Sequence, residues 1–189
     1  MLHGIDIASY QSKLISANPK WITKYNDFVI IKATEGVNYH FDEGDKYVNM
    51  CREQGVPYGL YHYARAEKNH PINEARYFLS HCNKNKDGLY ALDIEGLSLA
   101  CNDIDSWARL WLDTVYIATG KRPLLYTSLS EVNKFKQVCE GDYGLWIAQW
   151  GTSKVGNIDP WKFWAIWQYH VNTELDLDMD MFNGNLDQL

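Results

Sequence analysis

The sequence predicts an α/β fold, an irregular TIM-like barrel of five βα units followed by three β-strands, built as one domain over residues 1–189. Two observations predict it. Over the first three quarters of the chain, apolar and β-branched runs alternate with segments of helical period, the pattern of parallel strands joined by crossover helices. From residue 145 onward three more strand-like runs follow with little helix between them. An open α/β sheet with the same strand count is the alternative.

GIDIAS at 4–9 reads as the first strand, followed by a short helix for which Asn18 is a cap and Pro19 the first helical residue. FVIIKATEG at 28–36 is the second strand, and its helix runs from a cap at Asp42 to a stop at Gly55. PYGLYHYAR at 57–65 is the third. Pro71 then opens a helix with Ile72, Ala75, Leu79 and Cys82 on one face, ending at Lys-Asp-Gly 86–88. LYALDIEG at 89–96 is the fourth strand. Ile104, Trp107, Ala108, Trp111 and Val115 form the stripe of the next helix, closed by Gly120 and Pro123. RPLLYTS at 122–128 is the fifth strand, with Ser128 and Glu131 as a capping-box pair. LWIAQWG at 145–151, WAIWQY at 164–169 and LDLDMDMF at 175–182 complete the set. Only five residues, 170–174, join the last two, which is too short for a parallel crossover and demands an antiparallel return.

Hydrophobic residues make up 46% of the chain, enough for a packed core. The formal charge of -6, with no Lys/Arg block, argues against nucleic acid and against electrostatic capture by an anionic membrane or wall. Cys51, Cys82, Cys101 and Cys139 are scattered, as expected of free thiols in a reducing compartment rather than of a zinc site. Met1 leads directly into a strand pattern without a signal-peptide h-region, and no apolar run is long enough to span a bilayer. Synthesis in the cytoplasm without membrane insertion, with a separate export route for action outside, is the expectation.

Candidate chemistry comes from acids placed where a strand should be apolar. Alternation sets Asp93 and Glu95 on one face of their strand, opposite Leu92 and Ile94. With helices outside the barrel the acids face inward, and the cost of burying bare carboxylates places them at the open C-terminal mouth. Asp6, between Ile5 and Ile7, repeats the pattern. Asp176, Asp178 and Asp180 share one face of the last strand. Such crowding raises at least one carboxyl pKa, as a general acid for glycoside cleavage requires, while neighbours stay ionised to stabilise an oxocarbenium-like centre. Two other readings stay open: a magnesium or calcium cluster, and a non-catalytic glycan-binding module.

Trp146, Trp150, Trp161, Trp164 and Trp167 crowd the last third, and most belong to the core. Tyr61, Tyr126, Trp150 and, beside Trp167, Gln168 are the candidate substrate contacts, since aromatic faces at a mouth suit sugar rings. His62 and His70 read as structural. Gly-x-Ser-x-Gly, His-Glu-x-x-His, P-loop and dinucleotide motifs are all absent from the sequence.

GIDIASYQ, IKATEG, GLYHYARA, ALDIEG, LWIAQWG, WQY and DMDMF, in that order and spacing, resemble the glycoside hydrolase family 25 lysozymes, the Chalaropsis-type N-acetylmuramidases found as phage endolysins and bacterial autolysins. The resemblance covers essentially the whole chain. It implies a five-βα barrel with three further strands and cleavage of the β-1,4 bond between N-acetylmuramic acid and N-acetylglucosamine in peptidoglycan, with retention and without metal or other cofactor. It implies Glu95 as general acid, Asp93 as its close partner, and Asp6 and Asp178 as further site acids. Retention could use a carboxylate nucleophile or the substrate's own N-acetyl group. Where the family commonly has Asp-x-Asn-x-Phe, this chain has Asp178-Met179-Asp180-Met181-Phe182, preceded by Asp176, so Asp176 competes with Asp178 for the site. Many family members carry a wall-binding module; the tail at 183–189 reads as a native end or the start of a linker to one.

Overall fold

The computed structural model of the chain describes residues 1–82, 87–174 and 176–188. Its strands are β1 (Leu2–Ile7), β2 (Phe28–Glu35), β3 (Tyr39–His40), β4 (Tyr58–Tyr63), β5 (Leu89–Asp93), β6 (Leu124–Ser128), β7 (Gly144–Ala148), β8 (Ile166–Asn172) and β9 (Leu177–Phe182). Eight of them close a barrel in the order β1-β9-β8-β7-β6-β5-β4-β2, with β2 pairing back onto β1, while β3 is a two-residue hairpin arm on β2. Closure excludes the open sheet. Every barrel pairing is parallel except those of β9, which runs antiparallel to both β8 and β1, as the short link after β8 demands. The β7–β8 crossover, residues 149–165, contains no helix, so the barrel's outer layer is thinned on that side.

The helices are α1 (Ser12–Ala17), α2 (Lys20–Thr23), α3 (Asp42–Gln54), α4 (Pro71–Cys82), α5 (Ile104–Thr119) and α6 (Lys136–Glu140). Several local expectations need correcting. Asn18 ends α1 instead of capping a helix, and Pro19 stands at the cap position of α2, because a residue without N–H cannot continue the turn begun at Ser12. The cap position of α3 is Phe41; Asp42 is its first residue, with its carboxylate engaged by His40 Nδ1 at 2.8 Å. On α4 the buried set is Pro71, Glu74, Ala75, Phe78 and Cys82, with Ile72 and Leu79 only half-buried, since Glu74 is pulled inward by His62. Ser128 pairs its hydroxyl with Ser130, not with the chain at Glu131, and a 3-10 turn at Val132–Lys134 precedes the short α6. Lys86 of the expected α4 stop, and Leu175 at the expected start of the last strand, lie outside the described residues.

Alternation divides the apolar residues into two cores. Outward-facing Val29, Ile31, Leu60, Leu92, Leu125 and Ile147 pack beneath the helices, against α5's Trp111, Leu112 and Val115 among others. Each such side chain contributes about 1.5–3 kcal/mol on burial. Inward-facing Phe28, Ile30, Tyr61, Ala91, Tyr126, Trp146 and Ile166 fill the lower barrel. Gly4 is required there, because a β-carbon on it would lie 2.6 Å from the Phe28 ring. The apolar plug ends one layer below the strand tips, and the next inward position on most strands is polar.

Candidate active site

Above the plug lies an open cleft of about 350 Å³ lined by Asp6, Asp93, Glu95 and Asp178 together with Tyr61, Tyr126, Trp150 and Gln168. All eight residues expected from the sequence thus meet in one place. The aromatics Tyr63 and Trp146 also line it, and so do Lys32, Glu35, Arg65, Tyr10 and Gln11, which the sequence did not single out. The lysine was accessible to the same reasoning, since Phe28, Ile30 and Lys32 alternate onto the inward face of β2.

Local chain geometry aims the acids. β5 ends at Asp93, which is 7% exposed; Ile94 N–H donates to Tyr126 O at 3.0 Å, and Thr127 Oγ1 donates to Ile94 O at 3.1 Å, tying the strand exit to β6. Glu95 follows in extended conformation, and Gly96, at φ +56°, turns the chain away into a 3-10 helix at Gly96–Ala100. A left-handed residue at that point favours glycine, and the turn leaves Glu95 exposed on the rim. On the other wall Asp6 of β1 stands directly opposite Asp178 of β9. Gln168 Nε2 donates to Asp6 Oδ2 at 2.7 Å, while Gln168 Oε1 accepts from Tyr126 OH at 3.1 Å and Trp150 Nε1 at 3.2 Å. Gln168 therefore orients Asp6, and Tyr126 and Trp150 orient Gln168.

The last-strand competition resolves by register. Asp178 lines the cleft. Asp180 is completely buried beneath it, accepting from Trp146 Nε1 at 2.8 Å. Asp176 precedes β9 at φ +51°, exposed, with its carbonyl accepting from Gln11 Nε2 at 2.7 Å.

Desolvation dominates the electrostatics. Burial, then Asp178, pushes the Asp6 carboxyl up to about 7. Burial, then Asp176 and Glu95, pushes Asp178 up to about 6. Burial and the nearby Glu95 hold Asp93 well above the carboxylate range, against the pull of Lys32, and Asp93 Oδ1 has no hydrogen-bond partner among the described residues. Glu95 is raised by its desolvation in the cleft, opposed by Lys32. Within this pair the like-charge effect runs from Glu95 onto the more deeply buried Asp93. Lys32 is held by Glu35 at 2.7 Å and lies 4.6 Å from the Tyr63 ring centre, and Arg65 grips Glu35 at 2.5 Å. Among the described residues, no three His, Cys, Asp or Glu side chains are placed to hold a metal ion.

His62 is structural: fully buried, it bonds Thr34 and Glu74, each at 2.8 Å, and burial lowers its pKa. Trp146, Trp161 and Trp167 are buried, whereas Trp150 is 55% exposed at the rim. The four cysteines are free thiols, two of them buried.

Comparison with known proteins agrees with this architecture. The N,O-diacetylmuramidase of Chalaropsis sp is 27% identical over an alignment covering 100% of this chain and 97% of its own length. Lysozyme M1 of Streptomyces globisporus is 25% identical over 100% of this chain and 70% of its own. The crystal structure of the bacterial lysozyme from Streptomyces coelicolor superposes with a TM-score of 0.81 at 26% identity, covering 100% of this chain and 94% of that one. The family model described as glycosyl hydrolases family 25 matches residues 5–176, nearly all of the barrel, though it stops short of Asp178 and Asp180. The chain belongs to glycosyl hydrolase family 25.

Proposed function

We propose that this cleft hydrolyses the β-1,4 bond between N-acetylmuramic acid and N-acetylglucosamine in peptidoglycan, with Glu95 as the general acid. The observation that carries the reading is the placement of a rim carboxyl of raised pKa, Glu95, in one cleft with Asp6 and Asp178, whose carboxyls ionise near neutrality. Relatives named lysozyme and N,O-diacetylmuramidase supply the substrate class.

Protonated Glu95 donates to the glycosidic oxygen as the bond to the anomeric carbon lengthens. Positive charge develops on the sugar ring, and ionised Asp6 and Asp178 stabilise it from a site whose dipoles are already oriented by Gln168. Retention follows either from carboxylate attack or from attack by the substrate's N-acetyl oxygen, with a site Asp orienting the amide. Asp93, buried and with its carboxyl pushed well above the usual carboxylate range, has an oxygen without a partner among the described residues that is available to the substrate or to Glu95. Exposed Trp150 offers a flat face to a sugar ring, and Tyr61 forms part of the cleft floor.

The site of action is the bacterial cell wall, reached by an export route or by lysis. A negative barrel gains nothing electrostatically from an anionic wall, so a separate wall-binding element would raise its local concentration. Mass spectrometry of borohydride-reduced digests of purified peptidoglycan tests the assignment. Fragments ending in reduced N-acetylmuramic acid, at a rate unaffected by EDTA, are expected. Ends at reduced N-acetylglucosamine, peptide release, or binding without cleavage would each sink it.

A further inference from the structure

Asp180 lies outside the cleft lining, yet it is in contact with a residue that lines it. In the β1–β9 register Asp180 stands opposite Gly4, one inward position below the Asp6–Asp178 pair and diagonal to Asp6. Asp180 is fully buried, with Oδ1 occupied by the Trp146 indole N–H at 2.8 Å. Its Oδ2 has no hydrogen-bond partner among the described residues, and its carboxyl lies beside that of Asp6. Two carboxylates offer only acceptors, so a hydrogen bond between the two groups requires that one of them carry a proton.

We propose that Asp180 is a positioning residue that acts in its protonated form, donating a hydrogen bond to Asp6 from below and so keeping Asp6 the ionised, cleft-facing member of the pair. The charge settles on Asp6 for two structural reasons. Asp6 receives the amide of Gln168 at 2.7 Å and borders the open cleft, whereas Asp180 has no access to solvent. Of the groups facing Asp180, Asp6 from β1 and Asp178 from its own strand favour its protonated form, the Trp146 N–H from β7 opposes them, and no cation is among them. Donation from Asp180 also opposes the upward pressure that burial and Asp178 place on Asp6. The inference deepens the glycosidase reading and rests on it for the role of Asp6, but the shared proton can be observed whatever the substrate proves to be.

The test uses the whole chain and two variants, Asp180→Asn and Asp180→Val. In infrared difference spectra at pH 7 to 8, Asp180→Asn is expected to remove the carbonyl band of a protonated carboxylic acid. On purified peptidoglycan, Asp180→Val is expected to lower kcat about tenfold with little change in KM, and to move the acid limb of the pH profile upward by about one pH unit as Asp6 loses its donor. Asp180→Asn, whose amide can still donate, is expected to restore most of kcat and the original acid limb. Loss of a carboxylate band instead of a carboxylic acid band would overturn the proposal. So would a folded Asp180→Val enzyme with wild-type kcat and acid limb. If the valine variant does not fold, the asparagine spectrum and pH profile still decide.

Discussion

On the β5 side of the cleft, Asp93 and Glu95 share their surroundings with a cation, Lys32. On the β1–β9 side, Asp6, Asp178 and Asp180 crowd together with the neutral donors Gln168 and Trp146. Both walls desolvate their carboxyls, but they relieve the penalty differently. Beside Lys32, desolvation and attraction oppose each other, so the charge state of Glu95 depends on how far the lysine reaches. Across the cleft, like charges meet and the protons are shared, which spreads the carboxyl pKa values around neutrality. Folding thus makes the β1–β9 wall reluctant to carry its full negative charge, while on the β5 wall Lys32 limits how far the Glu95 carboxyl is raised.

Removing the proton donor breaks this division most severely. Glu95→Gln should lower the rate of peptidoglycan cleavage by about 10²–10⁴-fold with unchanged circular dichroism. On the opposite wall, Asp6→Asn and Asp178→Asn should each cost about 10²–10³-fold in kcat through lost charge stabilisation. An Asp6→Asn enzyme of near-normal activity would show that the β1 carboxyl is structural.

Stability should follow the carboxyls too. The folded-state pKa values of Asp6 and Asp178 lie above the unfolded value of 3.8, so their contribution is complete below about pH 3.8 and is lost as pH rises through about 6 and 7. His62, whose pKa is lowered by burial, acts in the opposite sense below its unfolded value but is a single group. Each tenfold change in a carboxyl's proton affinity between folded and unfolded chain is worth about 1.4 kcal/mol, so the acids should make Tm several degrees higher near pH 5 than near pH 8. Asp6→Asn should flatten that slope, and an unchanged slope would show that the Asp6 carboxyl is not perturbed by folding.

Lys32→Met sharpens the contrast from the other side. Without the cation the Glu95 carboxyl rises further, so the limb of the kcat/KM pH profile that reports Glu95 should move to higher pH. The smallest effect belongs to the rim: Trp150→Ala should raise KM by a few-fold, consistent with an aromatic contact of about 0.5–1.5 kcal/mol.

Much of the site is legible in the sequence because an acid at an inward strand position contradicts its apolar neighbours. Asp6, Asp93 and Glu95 stand out for that reason, and the same contradiction marks Lys32. The choice among Asp176, Asp178 and Asp180 is not legible, because it depends on where an antiparallel strand begins and on its register with β1, both set by contacts far apart in sequence. The helix after RPLLYTS begins later than the capping pair implies, at Lys136, for a related reason. Ser128 and Glu131 have capping-box spacing, but the Ser128 hydroxyl pairs with Ser130 and a 3-10 turn at Val132–Lys134 precedes the helix. The source of the raised Glu95 pKa also escapes the sequence, since relative burial, which makes Asp93 the more perturbed of the two, is invisible in a pair of letters.

The central claim, that Glu95 supplies the proton to the departing sugar, is tested most directly by varying the leaving group. Wild type and Glu95→Gln would be compared on peptidoglycan and on a disaccharide glycoside carrying 4-nitrophenolate, which departs without protonation. Large loss on peptidoglycan with near-wild-type release of nitrophenolate is the predicted result; equal losses on both substrates would contradict it.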